Sequence, residues 1–268
     1  MLTTESLAIN AQKTVEKIEN FISLEVKRAG LNGAVIAVSG GIDSSVILAL
    51  TVRALGPENV RAITMPERDV TPEGDITDVI HLTKAYDVTC DTVEITPVIH
   101  VMRKILPLYA PSDLVSSGNI KPRARMIVAY HYANALKSMV IGSSNKTEWL
   151  TGYFTKHGDG GVDLMPIADL YKCQVRQIAE YLGIPRNIIE KTPSGGLWPG
   201  QTDEGEIGAS YDTLDLVLYG AERGYSDVEI AGQLTIEPEL VRRILDRVKA
   251  NEHKRRIPLI LRLSDVTV

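Results

Sequence analysis

The sequence predicts an α/β fold: a three-layer sandwich around a central parallel sheet of about five strands, followed by a helical C-terminal part. Two observations support this. Strand-like and helix-like patterns alternate through the first half, which implies βαβ units and a parallel sheet covered on both faces. From Ala209 onward, the patterns are helical only. The first-half arrangement is Rossmann-like.

The predicted strands are short apolar runs. They cover residues 33–38, 60–65, 88–95 and 138–141, and the first is a β-branched run that indicates a buried strand. The predicted helices follow apolar periodicity and end signals. Leu7, Ala11, Val15, Ile18 and Ile22 form one amphipathic face, and further helices are expected at residues 44–55, 72–86, 97–106, 122–136, 169–182 and from about 237 to 256.

Several helix ends have recognisable signals. The helix at 44–55 ends at Gly56-Pro57, and the next one opens on Pro72. Asp169 is expected to cap the helix at 169–182, and Gly183 to end it. Two Gly-rich segments, 151–161 and 192–208, lack periodicity. Long loops of this kind in compact domains are often functional.

Composition excludes several classes of protein. The 268 residues, 44% hydrophobic, suffice for one sizeable core, and a net charge of -5 gives no pull toward nucleic acid or anionic lipid. Only Cys90 and Cys173 occur, so zinc ribbons and disulfide frameworks are unsupported. No apolar run approaches the roughly 20 residues of a membrane span, and no signal-peptide pattern occurs. We expect a soluble cytoplasmic protein with neither nucleic-acid nor membrane partners.

A polar, Gly-rich loop follows the first predicted strand. In Ser39-Gly40-Gly41-Ile42-Asp43-Ser44, the glycines allow a sharp turn, and the helix start that follows offers unpaired N–H groups to an anion. Asp43 would repel phosphate unless a divalent cation lies between them, and Mg²⁺ prefers both kinds of oxygen. The loop has no lysine, so it is not a Walker A motif, and it is not GxGxxG. The alternative is a plain turn with Asp43 as a helix cap.

This loop resembles the phosphate loop of the N-type ATP pyrophosphatases. The resemblance implies cleavage of ATP between its α and β phosphates, with the loop holding the departing pyrophosphate. A second polar string, residues 142–148, follows the predicted strand at 138–141 and should lie at the same sheet edge. Its Glu148 is then placed as a second metal ligand opposite Asp43. Taken alone, Glu148 could equally be an exposed loop acid.

Three further strings, at residues 152–166, 170–172 and 193–204, are similar to those of NAD synthetases. The resemblance runs from the phosphate loop to His253-Lys254. It implies one synthetase domain over residues 1–268 that uses ATP and ammonia to amidate deamido-NAD, giving NAD, AMP and pyrophosphate through an adenylate. It also implies a homodimer, for which the apolar run 126–130 is a suitable contact.

The resemblance assigns roles residue by residue. Mg²⁺ would be held by Asp43 and Glu148, and the catalytic set would be Asp43, Glu148, Asp163 and Lys172. The ATP set is Ala37, Val38, Ser39, Gly40, Gly41, Ile42, Asp43, Ser44, Ser143, Lys172 and Ser194. The deamido-NAD set is Arg123, Lys156, Asp163, His253 and Lys254. Read alone, Lys172 and the pair His253-Lys254 indicate solvated surface residues.

The nitrogen source is less directly indicated. Ser143-Ser144-Asn145 and the string 197–201 look like the synthetase domain of glutamine-dependent relatives. A glutaminase domain would need far more residues than precede Ala37, and there is no N-terminal cysteine nucleophile. We therefore expect no glutaminase domain and free ammonia as donor, unless a separate amidotransferase delivers it. The rival classes are a tRNA-thiolating ligase and a stress-protein-type nucleotide binder.

Overall fold

The computed structural model describes residues 1–261. The strands are β1 (Gly33–Ala37), β2 (Val60–Thr64), β3 (Thr89–Thr92) and β4 (Ser138–Ile141). The helices are α1 (Ala11–Arg28), α2 (Ile42–Leu55), α3 (Glu73–Ala85), α4 (Thr96–Ile105), α5 (Leu114–Gly118), α6 (Ile120–Leu136), α7 (Lys146–Thr151), α8 (Lys172–Tyr181), α9 (Arg186–Ile189), α10 (Asp203–Ile207), α11 (Tyr211–Glu222), α12 (Asp227–Leu234) and α13 (Pro238–Ala250). Short 3₁₀ helices span Thr4–Leu7, Pro57–Asn59 and Glu252–Lys254.

The sheet is parallel throughout, in the order β3-β2-β1-β4. In β1, Ala34 and Ile36 pack into a core with α1, α2 and α8, whereas Val35 packs against α4 and α6 on the other face. The three-layer α/β prediction is therefore confirmed. From β1 the chain continues to β2 on one side, while β4 lies on the other, so a topological switch point falls between β1 and β4. Open α/β sheets bind ligands at such points.

The sheet has four strands in residues 1–261, where about five were predicted. Beyond β4 only one parallel bridge forms, between Ile141 and Leu164. Pro166 follows two residues later and has no N–H to continue a ladder, so the pairing stops there. β3 is also shorter than the predicted 88–95, because the chain turns into α4 at Thr96.

Four short helices, α5, α7, α9 and α10, lie where no helix was predicted. Other ends also shift. α8 begins at Lys172 and not at 169, because Asp169 pairs with Lys146 (2.9 Å) while the Gln174 side chain accepts a hydrogen bond from the N–H of Tyr171 (2.9 Å). α13 ends at Ala250 and not near 256. At its end, the side-chain amide of Asn251 donates a hydrogen bond to the carbonyl of Arg247 (2.9 Å).

The C-terminal part is helical, as predicted, and it also has a core of its own, which was not predicted. Leu214, Val217, Ile230, Val241 and Ile244 of α11 to α13 are buried together with residues of the N-terminal segment. No helix within residues 1–261 is both long and apolar enough to cross a bilayer.

The C-terminal end of α7 is covered by residues from a distant part of the chain. Arg247 and Asn251 both donate to the carbonyl of Thr151, at 3.1 and 3.2 Å. Arg255 donates to the carbonyl of Leu150 (2.6 Å). These side chains satisfy the last carbonyls of α7, which have no partner within the helix.

Candidate active site

A cleft of about 490 Å³ opens at the carboxyl ends of β1 and β4. Its walls include the phosphate loop, the residues after β4 and the lid loop, which we define as residues 192–202. Every predicted ATP-site residue except Gly40 lines it: Ala37, Val38, Ser39, Gly41, Ile42, Asp43, Ser44, Ser143, Lys172 and Ser194. The structure therefore brings the predicted ATP set together at one sheet edge.

The phosphate loop is held by its own side chains. The Ser44 hydroxyl donates to the carbonyl of Gly41 (3.0 Å) and accepts from the N–H of Ser39 (3.2 Å), and Ser45 also donates to Gly41 (2.8 Å). Gly40 has φ +83°, a conformation that favours glycine. Gly41 caps α2, whose first-turn N–H groups lack helical partners and suit an anion.

A buried charge cluster lies beside this loop. The Lys172 ammonium, with 2% of its side chain exposed, lies 2.5 Å from Asp43 Oδ2 and 3.6 Å from Glu148 Oε1. Burial would lower the pKa of Lys172, but the carboxylates of Asp43 and Glu148 outweigh it and raise that pKa. Lys172 is thus a buried cation, which contradicts its interpretation as a solvated lysine.

Glu148 belongs to helix α7 and is not an exposed loop acid. Its carboxylate accepts from the N–H of Asn145 (3.2 Å), whose side chain accepts from the N–H of Glu148 (3.0 Å), a capping box. The Asn145 amide also donates to Asp43 (3.0 Å) and so joins the two acids. Burial, and then the nearby Asp43 carboxylate, raise the pKa of Glu148.

A third buried acid, Asp203, reaches the cluster from α10. Tyr211 donates to Asp203 Oδ2 (2.9 Å) and to Glu148 Oε1 (3.3 Å), and Asp203 Oδ1 has no hydrogen-bond partner within the described chain. Burial raises the pKa of Asp203. No role was predicted for Asp203, because it lies in a segment interpreted as a loop, and nothing in the sequence signals its contact with Tyr211.

Asp215 of α11 supports the cluster from behind. Fully buried, it accepts hydrogen bonds from the Thr147 hydroxyl (2.5 Å) and the N–H of Cys173 (2.8 Å). The N–H of Lys172 donates to the same Thr147 oxygen (3.2 Å). Asp215 therefore fixes the start of α7 relative to the start of α8, and with them Glu148 and Lys172. Its place in a helical sequence gave no sign of this contact.

Four of the five predicted deamido-NAD residues lie together. Arg123 donates to the carbonyl of Lys156 (3.3 Å), and the Lys156 ammonium to the carbonyl of His253 (2.8 Å). Lys254 donates to the carbonyls of Gly152 (2.7 Å) and Phe154 (3.0 Å) and lines the cleft. His253 and Lys254 therefore join a basic group next to the cleft, although alone they indicated a solvated helix end.

The fifth, Asp163, has different partners. Its two carboxylate oxygens accept from the Tyr130 hydroxyl (3.0 Å) and the N–H of Val140 (2.8 Å). Asp163 is exposed next to the edge of β4 and, unlike the preceding Val162, is not among the residues that line the cleft. Its hydrogen bonds within residues 1–261 do not join it to the basic group.

Comparisons with known proteins agree with this geometry. The sequence model of the NAD synthase family matches residues 14–258. The chain belongs to the NAD synthase family. The NH(3)-dependent NAD(+) synthetase of Archaeoglobus fulgidus is 43% identical over 258 residues, which is 96% of this chain and 100% of that protein.

Two solved structures superpose closely on this chain. NMN synthetase from Francisella tularensis has a TM-score of 0.84 and 32% identity, over 95% of this chain and 99% of that one. The NH3-dependent NAD synthetase from Campylobacter jejuni has a TM-score of 0.80 and 31% identity, over 95% and 100%. The fold and the synthetase resemblance are thereby confirmed.

The Asp215 contacts give a stability prediction. Asp215→Ala leaves the Thr147 hydroxyl and the Cys173 N–H buried without their acceptor, which should lower the free energy of unfolding by about 3 kcal/mol. Asp212→Ala on the same helix is the control: its carboxylate is 64% exposed and pairs with Arg176, so the loss should stay under about 1 kcal/mol. Urea denaturation measures both. Equal losses would contradict the supporting role of Asp215.

Proposed function

We propose that the chain catalyses the ATP-dependent amidation of deamido-NAD by ammonia, giving NAD, AMP and pyrophosphate. The observation that carries this proposal is the buried Asp43-Lys172-Glu148 cluster beside the phosphate loop, in a member of a family whose similar curated relatives are named NH(3)-dependent NAD(+) synthetases. Two free cysteines suit a reducing compartment, and we place the reaction in the cytoplasm.

The phosphate loop and Lys172 would bind the triphosphate of ATP. The N-terminus of α2 and the hydroxyl of Ser39 offer donors to the phosphates, and the Lys172 ammonium opposes their charge. Ser143 and Ser194 lie on the walls of the same cleft. The lysines that line the cleft, Lys172, Lys191 and Lys254, are already paired with acids or backbone carbonyls, so a further cation would offset the charge of the phosphates.

The side chains present fit Mg²⁺. Among residues 1–261 no group of three His, Cys, Asp or Glu side chains forms a complete metal cage. Mg²⁺ usually takes only one or two carboxylates together with substrate phosphates and water. The carboxylates of Asp43 and Glu148 both lie next to the Lys172 ammonium, and they would be the two carboxylate ligands of Mg²⁺. When bound, Mg²⁺ neutralises charge on the phosphates as pyrophosphate departs.

The basic group would bind the acceptor. Arg123, Lys156 and Lys254 suit the pyrophosphate and carboxylate of deamido-NAD, with His253 beside them. A carboxylate oxygen of the nicotinate attacks the α-phosphorus of ATP, and the bond to pyrophosphate breaks. Ammonia then attacks the acyl carbon, AMP leaves, and the nitrogen loses a proton. The protein needs no nucleophile of its own, so its part is positioning and charge stabilisation.

A second acceptor deserves a direct comparison. The similarity to NMN synthetase from Francisella tularensis, at a TM-score of 0.84, favours testing the acid form of NMN, which has one phosphate and no adenosine. The chemistry at the carboxylate is the same for both acceptors. Only the dinucleotide offers a pyrophosphate to the basic group, and that is why we favour deamido-NAD.

The deciding experiment supplies ATP, Mg²⁺ and ammonium with either acceptor, then measures amide product, AMP and pyrophosphate. We expect one AMP for each NAD formed and a higher kcat/KM with deamido-NAD. A higher kcat/KM with the mononucleotide would show that the acid form of NMN, and not deamido-NAD, is the preferred acceptor. AMP release that does not depend on either acceptor would refute the proposed reaction.

The metal proposal predicts strong dependence on Mg²⁺ and on Glu148. EDTA should abolish NAD formation, and added Mg²⁺ should restore it. Glu148→Gln keeps the shape of the side chain but loses its charge, so NAD formation should fall about 100-fold and half-saturation should need more Mg²⁺. Glu180→Gln, a substitution near the end of α8, is the control and should keep wild-type rates. Full activity in EDTA would overturn this assignment.

We further propose that Asp163 helps to orient the nicotinate ring or the incoming ammonia. Its carboxylate is itself held by Tyr130 and Val140, which gives it a fixed position. Asp163→Asn should lower kcat/KM for deamido-NAD at least about tenfold while the melting temperature stays close to wild type. The control Asp169→Asn, whose side chain is 95% exposed, should be neutral. An Asp163→Asn enzyme with full turnover would exclude the role.

We also propose that the protein is a homodimer. Apolar side chains are exposed on α4, α5 and α6, among them Val101 (54%), Ile105 (61%), Val115 (66%) and Ile127 (64%). Such patches mark interaction sites, and the predicted contact 126–130 lies among them. Ile127→Asp should convert a dimer into a monomer in light scattering, whereas Val228→Asp, at an equally exposed site on α12, should not. A monomeric wild type at every concentration would contradict the dimer.

A further inference from the structure

Lys191 occupies a junction of three elements next to the cleft. It immediately precedes the lid loop and lines the cleft. Its ammonium donates to the carbonyl of Gly40 in the phosphate loop (2.9 Å), to Asp75 (2.8 Å) and to Asp78 (2.6 Å) on α3. One side chain therefore joins the base of the lid loop, the phosphate loop and the start of α3.

The phosphate loop is packed tightly at this point. A Cβ added to Gly40 would lie 2.7 Å from the backbone oxygen of Asp75. Gly40 consequently has little room to move toward α3, and its carbonyl accepts a hydrogen bond from the Lys191 ammonium. If that contact were lost, the carbonyl could turn toward the phosphates, which its partial negative charge would repel.

The local charges give Lys191 a second effect. Asp75 also lines the cleft, and Asp78 lies behind it, where its carboxylate accepts from the same Lys191 ammonium that contacts the phosphate loop. Lys191 is the cation that both of them contact. Burial would lower the pKa of Lys191, but its hydrogen bonds with Asp75 and Asp78 outweigh burial and raise that pKa, so the ammonium persists at neutral pH.

We propose that Lys191 is a positioning residue for the cleavage of ATP, acting by holding the Gly40 carbonyl and neutralising Asp75 and Asp78 beside the phosphate loop. This inference rests on the proposed function. Lys191 acts on the first half-reaction, in which pyrophosphate departs. It is not required by the second half-reaction, in which ammonia attacks the adenylate, because its contacts all lie on the phosphate side of the cleft.

The test follows each half-reaction separately. Exchange of labelled pyrophosphate into ATP, in the presence of deamido-NAD and without ammonium, measures the first. The KM for ammonium in NAD formation measures the second. Lys191→Met should lower the exchange rate and raise the KM for ATP about tenfold or more, and leave the KM for ammonium within about twofold. Lys191→Arg keeps the charge and should recover much of the loss.

Two further variants separate positioning from general support of the fold. Lys84→Met removes an exposed lysine from α3 and should match wild type in both assays. Asp75→Asn placed in the Lys191→Met background removes one unneutralised carboxylate, and should improve the KM for ATP at least about threefold over Lys191→Met alone. If Lys191 only supported the fold, the additional Asp75→Asn substitution would not improve the KM for ATP of the Lys191→Met variant.

The outcomes are distinct. Wild-type exchange rates in Lys191→Met would overturn the inference, as would a double variant no better than Lys191→Met. Equal rises in the KM for ATP and for ammonium, together with a lower melting temperature, would show a structural role only. Failure of the wild-type protein to exchange pyrophosphate with either acceptor would instead refute the proposed function.

Discussion

The structure of the site depends on one ammonium group buried between carboxylates. A lysine that is 2% exposed is unfavourable unless its charge is balanced and hydrogen-bonded, and Lys172 meets this need with acids from separate elements. Asp43 is supplied by α2, at the end of the phosphate loop. Glu148 is supplied by α7, after β4. Neither acid is close to Lys172 in sequence, so the cluster forms only when α2, α7 and α8 are all in place at the sheet edge.

The two ligand regions have opposite electrostatic character. Around Lys172, three acids outnumber one lysine, and this favours a divalent cation accompanied by phosphates. Lys254 lines one end of the cleft. There, the basic side chains of Arg123, Lys156 and Lys254 lie together and donate hydrogen bonds to backbone carbonyls. A net charge of -5 is therefore compatible with binding two highly charged nucleotides, because each is met by local groups and by backbone N–H donors.

The sequence predicted the elements whose signals are local. Four strands, the phosphate loop and the pairing of Asp43 with the string containing Glu148 follow from apolar runs, glycines and the order of elements. The fifth strand was not found, because Pro166 ends the pairing after one bridge. The helices α7 and α10 have six and five residues, too short to be stable alone, and they owe their form to tertiary contacts. Asp203 and Asp215 were not predicted as site residues, because their contacts form only in the folded chain, through Tyr211 for Asp203 and through Thr147 and Cys173 for Asp215.

The covering of the end of α7 has a consequence for the order of events during synthesis. The carbonyls of Leu150 and Thr151 are satisfied by Arg247, Asn251 and Arg255, which follow them by 96 to 105 residues. A nascent chain can form its first three strands and its phosphate loop while α7 still lacks these partners. The helix that carries Glu148 is therefore completed only after residues 247–255 have left the ribosome.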